Sequence, residues 1–364
     1  MKPVLVLATD SPEPSGVGEH MLTLGEALKP RFDVVLALPS HDAGAALLRR
    51  AAGRELRIKA FDPHRLDLFE AWLKAINTRL LHIHAGIGWE GHGLARRGKA
   101  TGLPVVRTEH LPYLVTSPVQ QAEYRAMLLS VDRRIAVSQA VFDSHLGAGS
   151  GPLHVVHNGL ALHPSRQPAA ETRQALGLAP TDKVLLTVAR FTPQKGHDCL
   201  VAAAPAVLQQ HPNAKFVLVG SGPETENIEA AIRAGGLESN VLLLGQRDDV
   251  PALLAASDLF VLPSQFEGLP LALLEAVAAD LPVVATNIGG TVEALGKGHP
   301  FLVPAGDAQA LAAAINTALA DPAQAQAAAV AAKERFTGHF TAQRMADQTA
   351  AIYDILLSPR GASL

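Results

Sequence analysis

One pattern runs through this chain twice: a short, almost continuous apolar run, then a stretch with apolar residues at helical spacing, then another apolar run. In the first half the runs are PVLVLAT (3–9), DVVLALP (33–39), LLHIHA (80–85), LPVVRT (103–108) and RRIAVS (133–138). In the second half KVLLTVAR (183–190), KFVLVGSG (215–222), NVLLLGQ (240–246), LFVLPS (259–264), LPVVAT (281–286) and HPFLVPA (299–305) repeat it. Short aliphatic runs without polar alternation read as strands covered on both faces, and the intervening helices supply the cover. The spacing therefore predicts an α/β chain of βαβ units and doubly wound parallel sheets.

At 364 residues the chain is too long for one ordinary core, and the pattern restarts after a Pro-, Gly- and His-rich stretch, GPLHVVHNGLALHPSRQPAAETRQ. This predicts two Rossmann-like domains, 1–163 and 164–339. The closing segment 340–364 carries Met345, Ile352, Ile355 and Leu356 at helical spacing and is expected to cross back to the first domain. Ligands of such sheets bind outside the carboxyl ends of the strands, so the two edges are expected to face a central cleft.

The formal net charge of −3 leaves no basic field for nucleic acid. The first 165 residues hold 18 basic and 15 acidic groups, and the remainder 13 and 19. Two readings fit that mild imbalance: ordinary solvated faces, or a basic surface lying against anionic lipid at the inner membrane. RRAAGRELRIK (49–59) is the stretch for such a contact, with an exposed basic helix as the plainer reading. Cys199 is the lone cysteine, so no intramolecular disulfide forms. The first apolar run is too short for a signal peptide, and none approaches the roughly 20 residues of a membrane span. A cytoplasmic protein is expected.

Candidate chemistry sits where strands end. SGVG (15–18) follows the first strand and opens a helix, so Gly16 and Gly18 let backbone approach a ligand and offer free N–H groups to an anion. A dinucleotide fingerprint would need a third glycine, and Met21 stands there. In VARFTPQKGHDC, Arg190 ends a strand and Lys195 follows five residues later, a fork and a mobile point charge placed for a diphosphate. VGSGPE puts Gly220 and Gly222 in a tight turn. FEGLPLALLEAVAA then sets Glu267 on a loop and Pro270 in the first turn of a helix, with Glu275 one to two turns inside it. The start of that helix, with Gly268 and Leu269, suits phosphate or sugar oxygens, and Glu275 suits a ribose diol. A Glu275 that snorkels or pairs with a basic residue is the bland alternative.

Taken in order, Asn158-Gly159, Arg190…Lys195-Gly196, Val219-Gly220-Ser221-Gly222-Pro223 and Glu267-Gly268-Leu269-Pro270…Glu275 resemble the retaining glycosyltransferases of family four, whose architecture is called GT-B. The resemblance covers essentially the whole chain. It implies that Arg190 and Lys195 neutralise a nucleotide diphosphate, that Glu275 holds the ribose, and that Glu267 meets the hydroxyls of the donor sugar. It also implies that the glycines at 16 and 18 face the diphosphate from the other domain. His110, in VVRTEHLPY, matches the family histidine that lines the sugar site, and Glu109 beside it is expected to orient it or to contact an acceptor. His82 and His84 are read as strand residues on the face opposite Ile83, not as a metal pair. Two departures stand out: Leu160-Ala161 follow Asn158-Gly159 where the family has Val-Asp, and Ala189 precedes Arg190 where it has Gly.

The implied reaction is transfer of a sugar from a UDP- or GDP-sugar to a hydroxyl of a glycan or lipid-linked acceptor, with retention. The departing phosphate oxygen is expected to take the acceptor's proton. No cofactor is expected, and no metal, since the chain contains no Asp-x-Asp. The rivals are a GT-B epimerase or phosphorylase, a Rossmann oxidoreductase, and a non-catalytic sugar-binding protein.

Overall fold

The aliphatic runs pair with one another as parallel strands, and alternate residues of each strand reach opposite layers of helices. The computed structural model describes residues 2–11, 15–40, 47–48, 51, 53–149, 151–161, 165 and 167–358. In β1 (Val4–Ala8), Leu5 and Leu7 enter one apolar cluster while Val6 and Ala8 enter another on the opposite face. Neither cluster leaves room for polar alternation along the strand, which is why these segments read as unbroken hydrophobic runs.

The chain divides into two compact units, residues 1–161 with 339–364, and residues 162–338. In the first, β1 is joined by β2 (Asp33–Pro39), β3 (Arg57–Phe61), β4 (Thr78–Ala85), β5 (Val105–Glu109), β6 (Arg133–Ala136) and β7 (Leu153–Val155) in the order 3-2-1-4-5-6-7. In the second, β8 (Lys183–Val188), β9 (Ala214–Val219), β10 (Val241–Leu243), β11 (Leu259–Leu262), β12 (Val283–Thr286) and β13 (Leu302–Val303) take the order 10-9-8-11-12-13. Both are the doubly wound order, and the strand sequence reverses between β1 and β4 and between β8 and β11. The division expected at residue 163 falls at 162–164, outside the described residues. Among the described residues no helix is long and apolar enough to cross a membrane.

The basic stretch 49–59 departs from the expected exposed helix. Its last residues, Arg57–Lys59, open the edge strand β3, in register with Val35–Ala37 of β2. An edge strand with one covered side tolerates RIKAF, whose polar alternation hid it among the aliphatic runs. Residues 49, 50 and 52 lie outside the described residues. The three-residue β7 was likewise submerged in the stretch expected as a linker.

The helix Ala342–Leu357 closes the first unit. Met345, Ala346, Ala350, Ile352 and Tyr353 join Leu5, Leu7, Leu24 and Leu28 in one cluster. The chain reaches it beside Asn158-Gly159: Leu160 N donates to Phe340 O and Ala342 N to Leu160 O, at 2.9 Å each. A methyl added at Gly159 would lie 2.3 Å from Thr341 O, so the crossing admits only glycine. Tyr353 is fully buried, its ring edge-on to Phe32, and its hydroxyl is hydrogen-bonded to His82 Nδ1. Tyr353→Ala removes both, and a loss of about 3–5 kcal/mol is expected. Denaturant unfolding of the variant should show the transition of the first unit displaced, and an unmoved curve would refute this reading of the helix.

Candidate active site

In the second unit the expected residues gather at the reversal between β8 and β11. Past β8 the chain runs through Arg190, partly buried, into the short 3-10 turn Pro193–Lys195. Past β11 it runs through Pro263–Pro270 into the helix Leu271–Ala278. The two loops are tied together. Gln265 N donates to Gln194 O at 2.7 Å, and Gln194 Nε2 to Phe266 O at 2.9 Å. At the centre Lys195 Nζ donates to Glu267 Oε1 at 2.6 Å, while Ser264 Oγ donates to the same oxygen at 2.8 Å. Glu267 is therefore not an open loop carboxylate: its side chain is 4% exposed, against 21% for Lys195. The paired charge and the hydroxyl are what allow it to be buried. Thr286 Oγ1 in turn donates to Ser264 O at 2.6 Å, fixing the loop to β12.

Glycines let neighbouring loops close on this centre. Gly220, with φ +140, passes so near the loop after β8 that a methyl would lie 1.9 Å from Ala189 O. At Gly222 the same addition would lie 2.3 Å from Phe191 O, and at Gly290 it would lie 2.2 Å from Gly268 O. Gly268 and Leu269 are buried just ahead of the helix, and Pro270 stands at its N-cap, one position earlier than expected, because its ψ of 120 is still extended. Glu275 occupies the second turn and is half-buried.

Gly16, Gly18 and His110 belong to the other unit. The expected SGVG loop is helical: Ser15–Leu28 includes both glycines in its first turn, where a missing side chain costs little. Gly16 is exposed, and Gly18 packs toward Leu47. Glu109 neither orients His110 nor faces outward. It accepts from Arg107 Nε and from Tyr124 Oη, both at 2.7 Å, in a buried network. Burial opposes its charge, but Arg107 and His145 outweigh that and hold its carboxyl below the usual range.

Two groups escaped the sequence reading, and in a third, three of whose members it named, it missed the grouping. At the β1–β4 reversal Asp10 Oδ1 accepts from Gly91 N at 2.7 Å. Glu90 takes Gly86 N at 2.6 Å and Ser11 Oγ at 3.1 Å, and burial raises both carboxyls above their ordinary values. The third is a row of buried histidines. His82 bonds Tyr353 and, through Nε2, Thr108 Oγ1 at 2.7 Å. His84 Nδ1 lies 3.2 Å from His110 Nε2, and His20 Nδ1 lies 2.9 Å from Asn158 Oδ1. His20, His84 and His110 each offer a nitrogen within 4.8 Å of the others, the one such triplet of metal-ligand types among the described residues. A tetrahedral zinc with bonds near 2.0–2.1 Å needs edges of about 3.4 Å. The contacts His20 and His84 already make fit a hydrogen-bonded cluster better. Strand position alone could flag His84, since β4 and β5 end side by side; nothing local flags His20.

Burial lowers the basicity of His20 to about 4 and that of His82, His84 and His110 well below the ordinary 6.5. Folded, these imidazoles stay neutral while the unfolded chain takes up protons from pH 6.5 downward. The first unit should therefore be stable above pH 6.5 and weaken as the pH falls toward 4. The slope is about 1.4 kcal/mol per pH unit for each such histidine. Denaturant titrations at pH 7.5, 6 and 5 check this, and a flat profile would contradict it.

The description "Glycosyltransferase Family 4" matches residues 14–163, and "Glycosyl transferases group 1" matches 169–335. A glycogen synthase of Mycobacterium tuberculosis is 35% identical over 218 residues, 59% of this chain; the match spans only 51% of that relative. The 2-deoxystreptamine glucosyltransferase of Streptomyces kanamyceticus is 26% identical over 94% of this chain and 95% of its own. Among solved structures, Anabaena HepE in complex with UDP and glucose superposes with a TM-score of 0.84 at 24% identity, covering 97% of this chain and 100% of that one. Its fold is shared. Two matched regions, one on each doubly wound unit, place the chain in glycosyltransferase family four, with the GT-B fold and a C-terminal half of the group 1 type.

Proposed function

We propose that the chain moves a sugar from a nucleotide diphosphate sugar to an acceptor hydroxyl with the anomeric configuration retained. The observation that carries this is the Lys195–Glu267 pair at the reversal of the second sheet, locked by Ser264. A cation and a carboxylate fixed at that point suit a ligand with an anionic and a hydroxylated end. In this reading Arg190 and Lys195 meet the diphosphate, and the start of the helix at Leu271 adds its positive end. Gly220 and Gly222 leave backbone exposed to the nucleotide, Glu275 accepts from the ribose hydroxyls, and Glu267 accepts from hydroxyls of the donor sugar. His110 is the imidazole that meets the transferred sugar.

The chemical step breaks the bond between the anomeric carbon and the phosphate oxygen and forms one to the acceptor oxygen. The acceptor's proton passes to the departing phosphate oxygen on the same face. Growing negative charge on that phosphate is the main electrostatic demand, and Arg190 and Lys195 answer it. No carboxylate is required as a covalent nucleophile. The Anabaena structure contains UDP and glucose, which favours a UDP- or GDP-sugar donor here. Relatives named for glycan synthesis favour a glycan or lipid-linked acceptor; in this reading the chain meets it at the cytoplasmic face of the inner membrane.

Lys195→Ala should lower kcat by about 10²–10³-fold with the far-UV spectrum unchanged. Wild-type rates in a donor-hydrolysis or transfer assay over a panel of nucleotide sugars would sink the diphosphate assignment. Glu275→Ala should instead weaken nucleotide binding by roughly tenfold or more, the worth of a charged hydrogen bond. Calorimetry with UDP, GDP and ADP reads this directly, and unchanged affinity for all three removes Glu275 from the ribose.

A further inference from the structure

The contact between His84 Nδ1 and His110 Nε2, at 3.2 Å, has one proton between two nitrogens, and either ring can own it. The remaining nitrogens decide which. His84 is fully buried in β4, and its Nε2 has no hydrogen-bond partner among the described residues. If His110 donated, a neutral His84 would have to carry its own proton on Nε2, leaving an N–H buried with nothing to accept it. Such orphaned donors are rare in folded proteins because the whole desolvation penalty falls on them. If His84 donates, its Nε2 is a bare lone pair. His82 and His20 pack against the His84 ring, with centroids 4.1 and 5.1 Å from its own, and a bare lone pair among such rings costs less than an N–H with no acceptor.

We propose that His84 is a positioning residue that donates from Nδ1 to His110 Nε2 and so fixes His110 in the tautomer bearing its proton on Nδ1. Burial keeps both rings neutral, so neither nitrogen gains a second proton to blur the assignment. The parallel register sets the geometry: Ala85 pairs with Glu109, and His110 N donates to Ala85 O at 3.0 Å, holding the two ring-bearing strand ends side by side. His20 packs edge-on to His110 at 4.6 Å and is itself oriented by Asn158, walling the ring from the other side.

The consequence rests on the reading of His110 as a sugar contact. With Nε2 occupied, His110 can offer a ligand only an N–H. It donates to an oxygen of the sugar and cannot accept the acceptor's proton. That agrees with a step in which the phosphate oxygen takes it.

Nitrogen-15 NMR of the histidine-labelled protein reads the tautomers without any turnover, with the signals assigned by single His→Gln variants. The expected spectrum shows protonated-type Nδ1 and bare-type Nε2 for both His84 and His110. The reverse pattern at His110 overturns the proposal, as does a stoichiometric transition metal on these rings that EDTA removes. In kinetics, His84→Leu should lower kcat by about tenfold, the worth of one lost hydrogen bond, with little change in donor KM. His84→Asn, whose amide nitrogen can replace Nδ1 as donor, should restore both the His110 tautomer and most of kcat. Equal losses in the two variants would reduce His84 to packing. Expected tautomers with unaltered kinetics in His84→Leu would leave the assignment standing and remove His110 from the reaction.

Discussion

Parallel pairing of every strand is the constraint from which the rest follows. A parallel sheet must be covered on both faces, so the strand interiors have no outlet for polar side chains. Every connection must also leave the carboxyl edge and cross back to the amino edge, so all the loops that follow strands collect at the carboxyl edge. Where the strand order reverses, two of these loops diverge over opposite faces and leave a gap between them. In the second unit that gap holds Lys195, Ser264 and Glu267. In the first it holds Asp10, Ser11 and Glu90. The same geometry thus produces one mixed-charge centre and one acidic centre.

Polar groups that do enter the layers come with partners. Arg107 lies fully buried within β5 because Glu109, two residues along on the same face, answers its charge and Glu90 O accepts from Nη1. The histidines of β4 are buried by a different device. They stay neutral, and His82 spends both nitrogens on neighbours from the C-terminal helix and β5. A charged pair resists loss of either member, whereas a neutral imidazole row yields to acid. The first unit carries both solutions side by side.

Strands and strand-end loops were legible because they are local: an apolar run, a glycine, a basic residue within a few positions. The pairings were not. Lys195 and Glu267 stand 72 residues apart, and His20 and Asn158 138 apart, so only the fold could join them. For Glu267 the sequence revealed the loop but not the burial, since burial depends on a distant cation. Glu109 was misread for the same reason. Beside His110 it looked like an orienting carboxylate, but its side chain leaves the opposite face of β5 toward Arg107 and Tyr124. β3 was hidden because an edge strand obeys a different polarity rule from the central ones.

The first unit is discontinuous in the chain: its sheet is written before residue 162, but the helix that packs on β4 and on the helix Ser15–Leu28, and supplies Tyr353 to His82, comes after residue 338. A ribosome therefore releases this sheet long before the last helix of its cover exists. The second unit, contiguous over 162–338, has all its strands by then and can fold as it emerges. So the half synthesised first is the half completed last, with the apolar face made by β4 and the helix Ser15–Leu28 waiting some 180 residues for the helix that packs on it. Nascent chains arrested anywhere between the two stages carry that open face, and they are the species on which holdase chaperones would act.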